Sequence, residues 1–344
     1  MIYKRRVVDI ILKYFDTDNI IVLHGARQVG KTNIMLYLIE HLNKNNQVNF
    51  YLDLEDYRNL EILNLGVDEF IKHLKEKGVY NDKRLYVFID EIQYLDNPSS
   101  FLKLIADHHK NIRLIVSCSS SFEIKSKFKD SLVGRTVNFE IYPLDFDEFL
   151  YFKGYKVDLS SKELTNKTLL ELTSYFKEYT LNGGYPKITL TDNIEFKEKY
   201  ITQIIGAYIK KDIRDLGKIK DIDKFNKLLE LLASQSGNLV NISELSNTLN
   251  IHKQTVEKYL FLLENTYIIR LVNPFYSNLR NELFKTPKIF FIDTGIMNLL
   301  WMKSLPKEIL GNIFETCIFS EYLKSNIFQV GAHGFRPMHP GCED

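Results

Sequence analysis

The 344-residue chain is poor in cysteine: Cys118, Cys317 and Cys342 stand far apart and form no C-x-x-C pair. This spacing argues against a disulfide framework and a cysteine zinc site, and it suits a reducing compartment. No apolar run approaches the roughly 20 residues needed to span a bilayer. The start, Met1 to Lys13, is basic, but Asp9 and Lys13 break its apolar stretch, so it reads as an amphipathic helix rather than a signal peptide. A net charge of only +1 gives no global field for nucleic acid, so any such contact needs a local patch. The eight histidines form no ligand cluster, no nucleophile–base pattern for acyl transfer is present, and there is neither a repeat nor a low-complexity tract. These absences describe a soluble, cytoplasmic globular protein, 45% hydrophobic and 26% charged. It is long enough for more than one core.

Residues 19–33 carry the strongest positive signal. An apolar strand, Ile20–Leu23, runs into Gly25-Ala26-Arg27-Gln28-Val29-Gly30-Lys31-Thr32-Asn33, and a helical pattern (Ile34, Leu36, Leu38, Ile39, Leu42) follows. The fixed positions of G-x-x-x-x-G-K-[ST] are all met in the right strand–loop–helix context. Such a loop wraps main-chain N–H groups around phosphates at a helix N-terminus. Lys31 is expected to reach the terminal phosphates of ATP, and the Thr32 hydroxyl to ligate Mg²⁺. About 60 residues on, Leu85–Ile89 ends in Asp90-Glu91. Asp90 is the expected second Mg²⁺ holder, and Glu91 is expected to orient an attacking water, which suits hydrolysis better than transfer to an acceptor.

Apolar runs at Ile20–Leu23, Val48–Leu52, Leu85–Ile89, Ile112–Val116 and Val137–Ile141 alternate with helical patterns. They predict an α/β fold, a parallel five-stranded sheet with helices on both faces, its ligand beyond the strand C-termini. The P-loop strand is expected to be flanked by the Asp-Glu strand and by one with a polar tip, Ser117-Cys118-Ser119-Ser120-Ser121. Ser119 or Ser117 is a candidate sensor of the γ-phosphate, although Ser119–Ser121 would equally cap the next helix. Arg135 is a candidate arginine finger, in cis or from a neighbouring subunit, or else half of a surface ion pair. Asp53, Glu55 and Asp56 end the second strand, one of them a candidate to hold a water on the Mg²⁺, although a loop of solvated carboxylates is the favoured reading.

Beyond Pro143 the strand signals stop, and the organisation reads as a core at 1–143 and a helical lid at 144–224 with a break at Asn182-Gly183-Gly184-Tyr185-Pro186. Helices at Phe225–Ser234, Ile242–Leu249 and His252–Glu264 and a strand at Tyr267–Val272 suggest a winged helix-turn-helix at 225–280. Lys253, Gln254, Thr255 and Lys258 are its candidate contacts to duplex DNA, the alternative being a protein-binding or packing surface. Lys288–Ile292 and Ile313–Leu323 open a partial α/β unit at 281–330, and 331–344 reads as a disordered or artefactual tail.

Together these motifs resemble bacterial and archaeal AAA-type P-loop ATPases that join an AAA_14 domain to a DUF4143 region. The resemblance is carried by Gly25–Thr32, Asp53-Leu-Glu55, Asp90-Glu-Ile-Gln93, Ser119-Ser120, Gly134-Arg135, Pro143-Leu-Asp-Phe-Asp-Glu-Phe149, Gly183-Gly-Tyr-Pro186, Asn265-Thr-Tyr267 and Pro287–Gly295. Asn33 and Cys118 depart from the usual residues without removing a ligand. The resemblance implies ATP and Mg²⁺ as cofactors and a C-terminal nuclease-like domain. Its acidic E-[VI]-D-F strand and later E-x-K are missing, so no nuclease activity is expected. The expected function is ATP hydrolysis that moves the lid and the winged helix. The competing expectations are a DNA-binding regulator that uses ATP for assembly, with oligomerisation open, and a small-molecule kinase.

Overall fold

The computed structural model describes residues 2–81, 83–119, 132, 134–157, 163–208, 221–274 and 286–326. Ser120, Ser121 and the segment 331–344 lie outside them.

Five strands build the sheet: β1 (Ile20–His24), β2 (Val48–Asp53), β3 (Leu85–Asp90), β4 (Ile112–Cys118) and β5 (Thr136–Glu140). All neighbours are parallel, in the order β2-β3-β4-β1-β5. The P-loop strand β1 is therefore flanked by β4 and β5, and β3 lies one strand further away than the sequence suggested. The interposed β4 puts a polar tip between the two halves of the site.

Alternation along the strands sorts side chains to two faces. Ile21, Leu23, Phe88, Ile115 and Phe139 pack with α1 (Val7–Leu12) and α2 (Lys31–Lys44). Ile20, Val22, Val87, Ile89, Leu114 and Val116 pack with α3 (Tyr57–Asn64), α4 (Val67–Glu76) and α5 (Pro98–His108). Both faces are thus covered, which is why the strands read as continuous apolar runs.

The rest of the chain is largely helical: α6 (Phe146–Phe152), α7 (Asn166–Asn182), the short α8 (Pro186–Thr189) and α9 (Ile194–Tyr208). Then come α10 (Ile222–Ser234), α11 (Ile242–Leu249), α12 (Lys253–Asn265) and β6 (Ile269–Val272). β7 (Lys288–Phe291), α13 (Thr294–Met302) and α14 (Gly311–Asn326) complete the described fold. Polar residues start these helices: Asp145 accepts from the Glu148 N–H (2.8 Å), Asn241 from those of Ser243 and Glu244 (3.1 Å each), and Asp293 from Ile296 (3.0 Å).

The expected unit beginning at residue 281 is not separate. β7 pairs antiparallel with β6, Ile269 opposite Phe291, and the apolar cluster that begins on the sheet continues through Ile204, Phe225, Leu263, Phe291 and Met297. Apolar burial, not chain order, decides which segments belong together. Gly184 marks a tight point of this junction. Its N–H donates to Asp293 Oδ2 (2.8 Å), its carbonyl accepts from the Leu144 N–H (2.7 Å), and a Cβ there would stand 2.3 Å from the Leu144 carbonyl oxygen. Any side chain would force these backbones apart.

Candidate nucleotide site

The loop after β1 is shaped by three backbone positions. Gly25 has φ +157°, and a Cβ on it would lie 2.0 Å from the Ile141 carbonyl oxygen, so the loop can start only at glycine. Gln28 takes a left-handed φ of 62° and Gly30, the N-cap of α2, one of 100°. That N-cap has no side-chain hydrogen bond and the first turn of α2 carries no acid, so the helix offers its N–H groups and positive end to an anion.

Lys31 is buried, its Nζ donating to the Gly25 and Ala26 carbonyls at 2.9 Å each. Burial pushes its ammonium below the ordinary lysine value, opposed first by the negative charge of Glu91. Thr32 Oγ1 donates to Asp90 Oδ2 at 2.6 Å, Tyr51 donates to the same oxygen at 3.0 Å, and Ser117 donates to Asp90 Oδ1. Burial, then the Asp90 charge, pushes the Tyr51 phenol far up, so it stays a donor at every physiological pH. Ser117 Oγ also accepts from the Glu91 N–H at 3.0 Å. Glu91 itself is left-handed, φ 55° and ψ 49°, at the top of β3.

Of these groups Thr32, Asp90 and Glu91 border an open cleft of about 340 Å³, lined also by Arg27, Gln28, Asp53, Glu55 and, from α9, Ala207. A hydroxyl and a carboxylate already in contact at its wall are the hard oxygen donors that Mg²⁺ prefers, so the donor set fits that ion.

The structure therefore brings Lys31, Thr32, Asp90 and Glu91 together, with Ser119 buried just behind, where it accepts from Gln93 Nε2 at 3.0 Å. Asn33 follows on the exposed side of α2. Asp53 and Glu55 reach the cleft, whereas Asp56 is spent capping α3 and pairing with Arg58. Arg135 is not brought to the site, which corrects the in-cis form of its expected role. Its carbonyl accepts from the Ile20 N–H (2.8 Å) at the entry end of β1, the opposite edge of the sheet from the loop, and its Nε pairs with Asp107 at 3.0 Å. Within the chain it forms the ion pair that was the alternative expectation.

Sequence reasoning missed three supports. Besides Tyr51, Arg5 reaches across the chain: Nε and Nη2 pair with the two oxygens of Glu148 at 2.8 Å, Nη1 donates to the Val29 carbonyl (2.9 Å) and Nη2 to that of Tyr142 (3.0 Å). The third is Tyr267, left-handed at φ 64°, whose hydroxyl shares a hydrogen bond with Nδ1 of His24, the residue just before Gly25. Beside it Arg270 donates to the Tyr142 hydroxyl at 3.0 Å, so the unit containing α12 and β6 sits directly on the loop end of the sheet. The Asp145/Glu148 pair was visible only as an unexplained motif, and the other contacts left no local signal.

Residues 17–150 match the family described as "AAA domain". They form an AAA domain of the P-loop type. Residues 173–307 match "Domain of unknown function (DUF8612)", where the sequence reading expected DUF4143. An uncharacterized protein of Methanocaldococcus jannaschii is 30% identical over 312 residues, covering 88% of this chain and 66% of that protein. One of Haemophilus influenzae is 27% identical over 304 residues, covering 86% and 72%. The chain thus spans about two thirds of the length of these relatives. Among solved structures, that of PCH-2 from C. elegans is similar at 14% identity and a TM-score of 0.39, over 75% of this chain and 70% of that one. Among the described residues no helix is long and apolar enough to cross a membrane.

Proposed function

We propose that the AAA domain binds ATP with Mg²⁺ and hydrolyses it, and that nucleotide state acts on the helical lid and the C-terminal unit. The observation that carries the reading is the meeting of Thr32, Asp90 and Glu91 at one cleft beyond the strand ends, with the buried Lys31 ammonium feeling the charges of both carboxylates. The main-chain N–H groups of 25–33 hold the phosphates. Lys31 exchanges its two carbonyl partners for phosphate oxygens, and Thr32 and Asp90 hold the ion. Bound Mg²⁺ supplies charge neutralisation between the phosphates. Glu91 orients and polarises the water that attacks in line, and Ser119 reports the γ-phosphate from the tip of β4. Arg135 serves a second copy of the chain. Because Ala207 borders the cleft, α9 is the element that feels its contents first.

Phosphate release by wild type, Lys31→Ala and Glu91→Gln tests this. Glu91→Gln should bind ATP normally and lose turnover by about 10²–10⁴, and Lys31→Ala should lose ATP affinity itself. Unchanged turnover in Glu91→Gln, or retained affinity in Lys31→Ala, refutes it.

A second reading is favoured by the exposure of Lys253, Gln254 and Lys258, with Thr255 half-buried, at the start of α12. There the chain regulates or initiates on duplex DNA and uses ATP for assembly. DNA affinity that falls with salt and with neutralisation of Lys253 or Lys258 supports it.

A further inference from the structure

We infer that Gln93 is the positioning residue for Glu91 and ties it to Ser119. The inference rests on the hydrolytic reading above. Gln93 is buried in the single 3₁₀ turn Ile92–Tyr94 that follows Glu91. The left-handed Glu91 backbone reverses the chain, so that Gln93 comes back beneath the carboxylate two residues before it. Its Nε2 donates to Glu91 Oε2 and, at 3.0 Å, to Ser119 Oγ. An ionised carboxylate only accepts, so the group facing it must be the amide NH₂, whose two hydrogens are the number this bridge needs.

Both ends of Glu91 are consequently fixed to the tip of β4: its N–H on Ser117 and its carboxylate, through Gln93, on Ser119. A neutral donor on one oxygen leaves the other to accept a water, and a carboxylate held at a single angle is what an in-line attack requires. β4 lies between the loop strand and the Asp-Glu strand. Displacement of its tip by an incoming phosphate therefore moves Glu91 in the same act. A glutamine here transmits position without adding charge, which neither a carboxylate nor an ammonium would do.

The experiment uses the full chain. Gln93→Met keeps the length and bulk of the side chain and removes the donor; Gln93→Glu keeps the shape and replaces the amide by a carboxylate. Both should lower kcat about 10- to 100-fold, the scale of a misplaced catalytic group, while the Kd of a fluorescent ATP analogue and the unfolding midpoint of Gln93→Met stay near those of wild type. Gln93→His, which restores an N–H donor, should recover part of the loss. In a Glu91→Gln background, Gln93→Met should cause no further loss, because its effect passes through Glu91.

Wild-type kcat in Gln93→Met, or a multiplicative loss in the double variant, overturns the inference while leaving the hydrolytic reading intact. If Gln93→Met does not fold, wild-type kcat in Gln93→Glu overturns it equally. A wild type that releases no phosphate from ATP removes both.

Discussion

Removing Arg5 should cost far more than an ordinary surface charge. Its side chain and that of Glu148 are 8% and 6% exposed, and their bidentate pair is supplemented by two carbonyls, Val29 in the loop and Tyr142 beyond β5. Arg5→Ala strands a buried carboxylate and withdraws a donor from each carbonyl. Breaking one side of a buried ion pair costs about 3–5 kcal/mol, against about 0–1 kcal/mol for an exposed pair. Arg5→Lys keeps the charge but not the fork and should fall between the two. Glu148→Ala should be costly too, and the double Arg5→Ala, Glu148→Ala variant should lose clearly less than the sum, since the second substitution removes the charge that the first left unpaired. Urea unfolding of wild type and the four variants measures this, and ATP affinity should drop in Arg5→Ala because Val29 belongs to the phosphate loop. Additive losses, or an Arg5→Ala loss below about 1 kcal/mol, would refute the argument.

Gly184→Ala should abolish soluble expression or lower the unfolding midpoint sharply, because its Cβ would meet the Leu144 carbonyl oxygen at 2.3 Å; a variant as stable as wild type would show that this junction yields. Asp145 has its carboxyl pushed up from 3.8 to about 6, first by burial and then by Glu148, with Arg6 opposing. The folded value exceeds the unfolded one, so the stability from this group is complete below about pH 4 and is lost as pH rises through about 6. Asp145→Asn, which can still cap α6, should therefore gain on wild type above pH 6 by at most about 3 kcal/mol; a stability difference that does not vary between pH 4 and 8 would remove the effect.

The sheet was readable because each strand is buried on both sides, so that Leu85–Ile89 and Ile112–Val116 stand out as apolar runs between helical periods. Lys31 and Thr32 were readable because a phosphate loop demands residue types at fixed spacing along one strand–loop–helix unit, and Asp90 and Glu91 because two carboxylates close the apolar run Leu85–Ile89. The hydrogen bonds of Tyr51 on β2 and Ser117 on β4 to Asp90 on β3 depend on strand order, which is not written in any local window. Arg5 and Glu148 are separated by 143 residues, and His24 and Tyr267 by 243. Such partners are chosen by the packed fold, and without it each reads as an ordinary polar residue. β7 was assigned to a following unit because only its pairing with β6 reveals where it belongs.

The hydrogen bond between Tyr267 and His24 leaves the phosphate loop with no slack at its root. On one flank Gly25 abuts the Ile141 carbonyl; on the other, the residue before it is tethered to a tight turn nearly 250 positions downstream. A displacement of the C-terminal unit that shifts Tyr267 would therefore reach His24, and with it the start of the loop, directly.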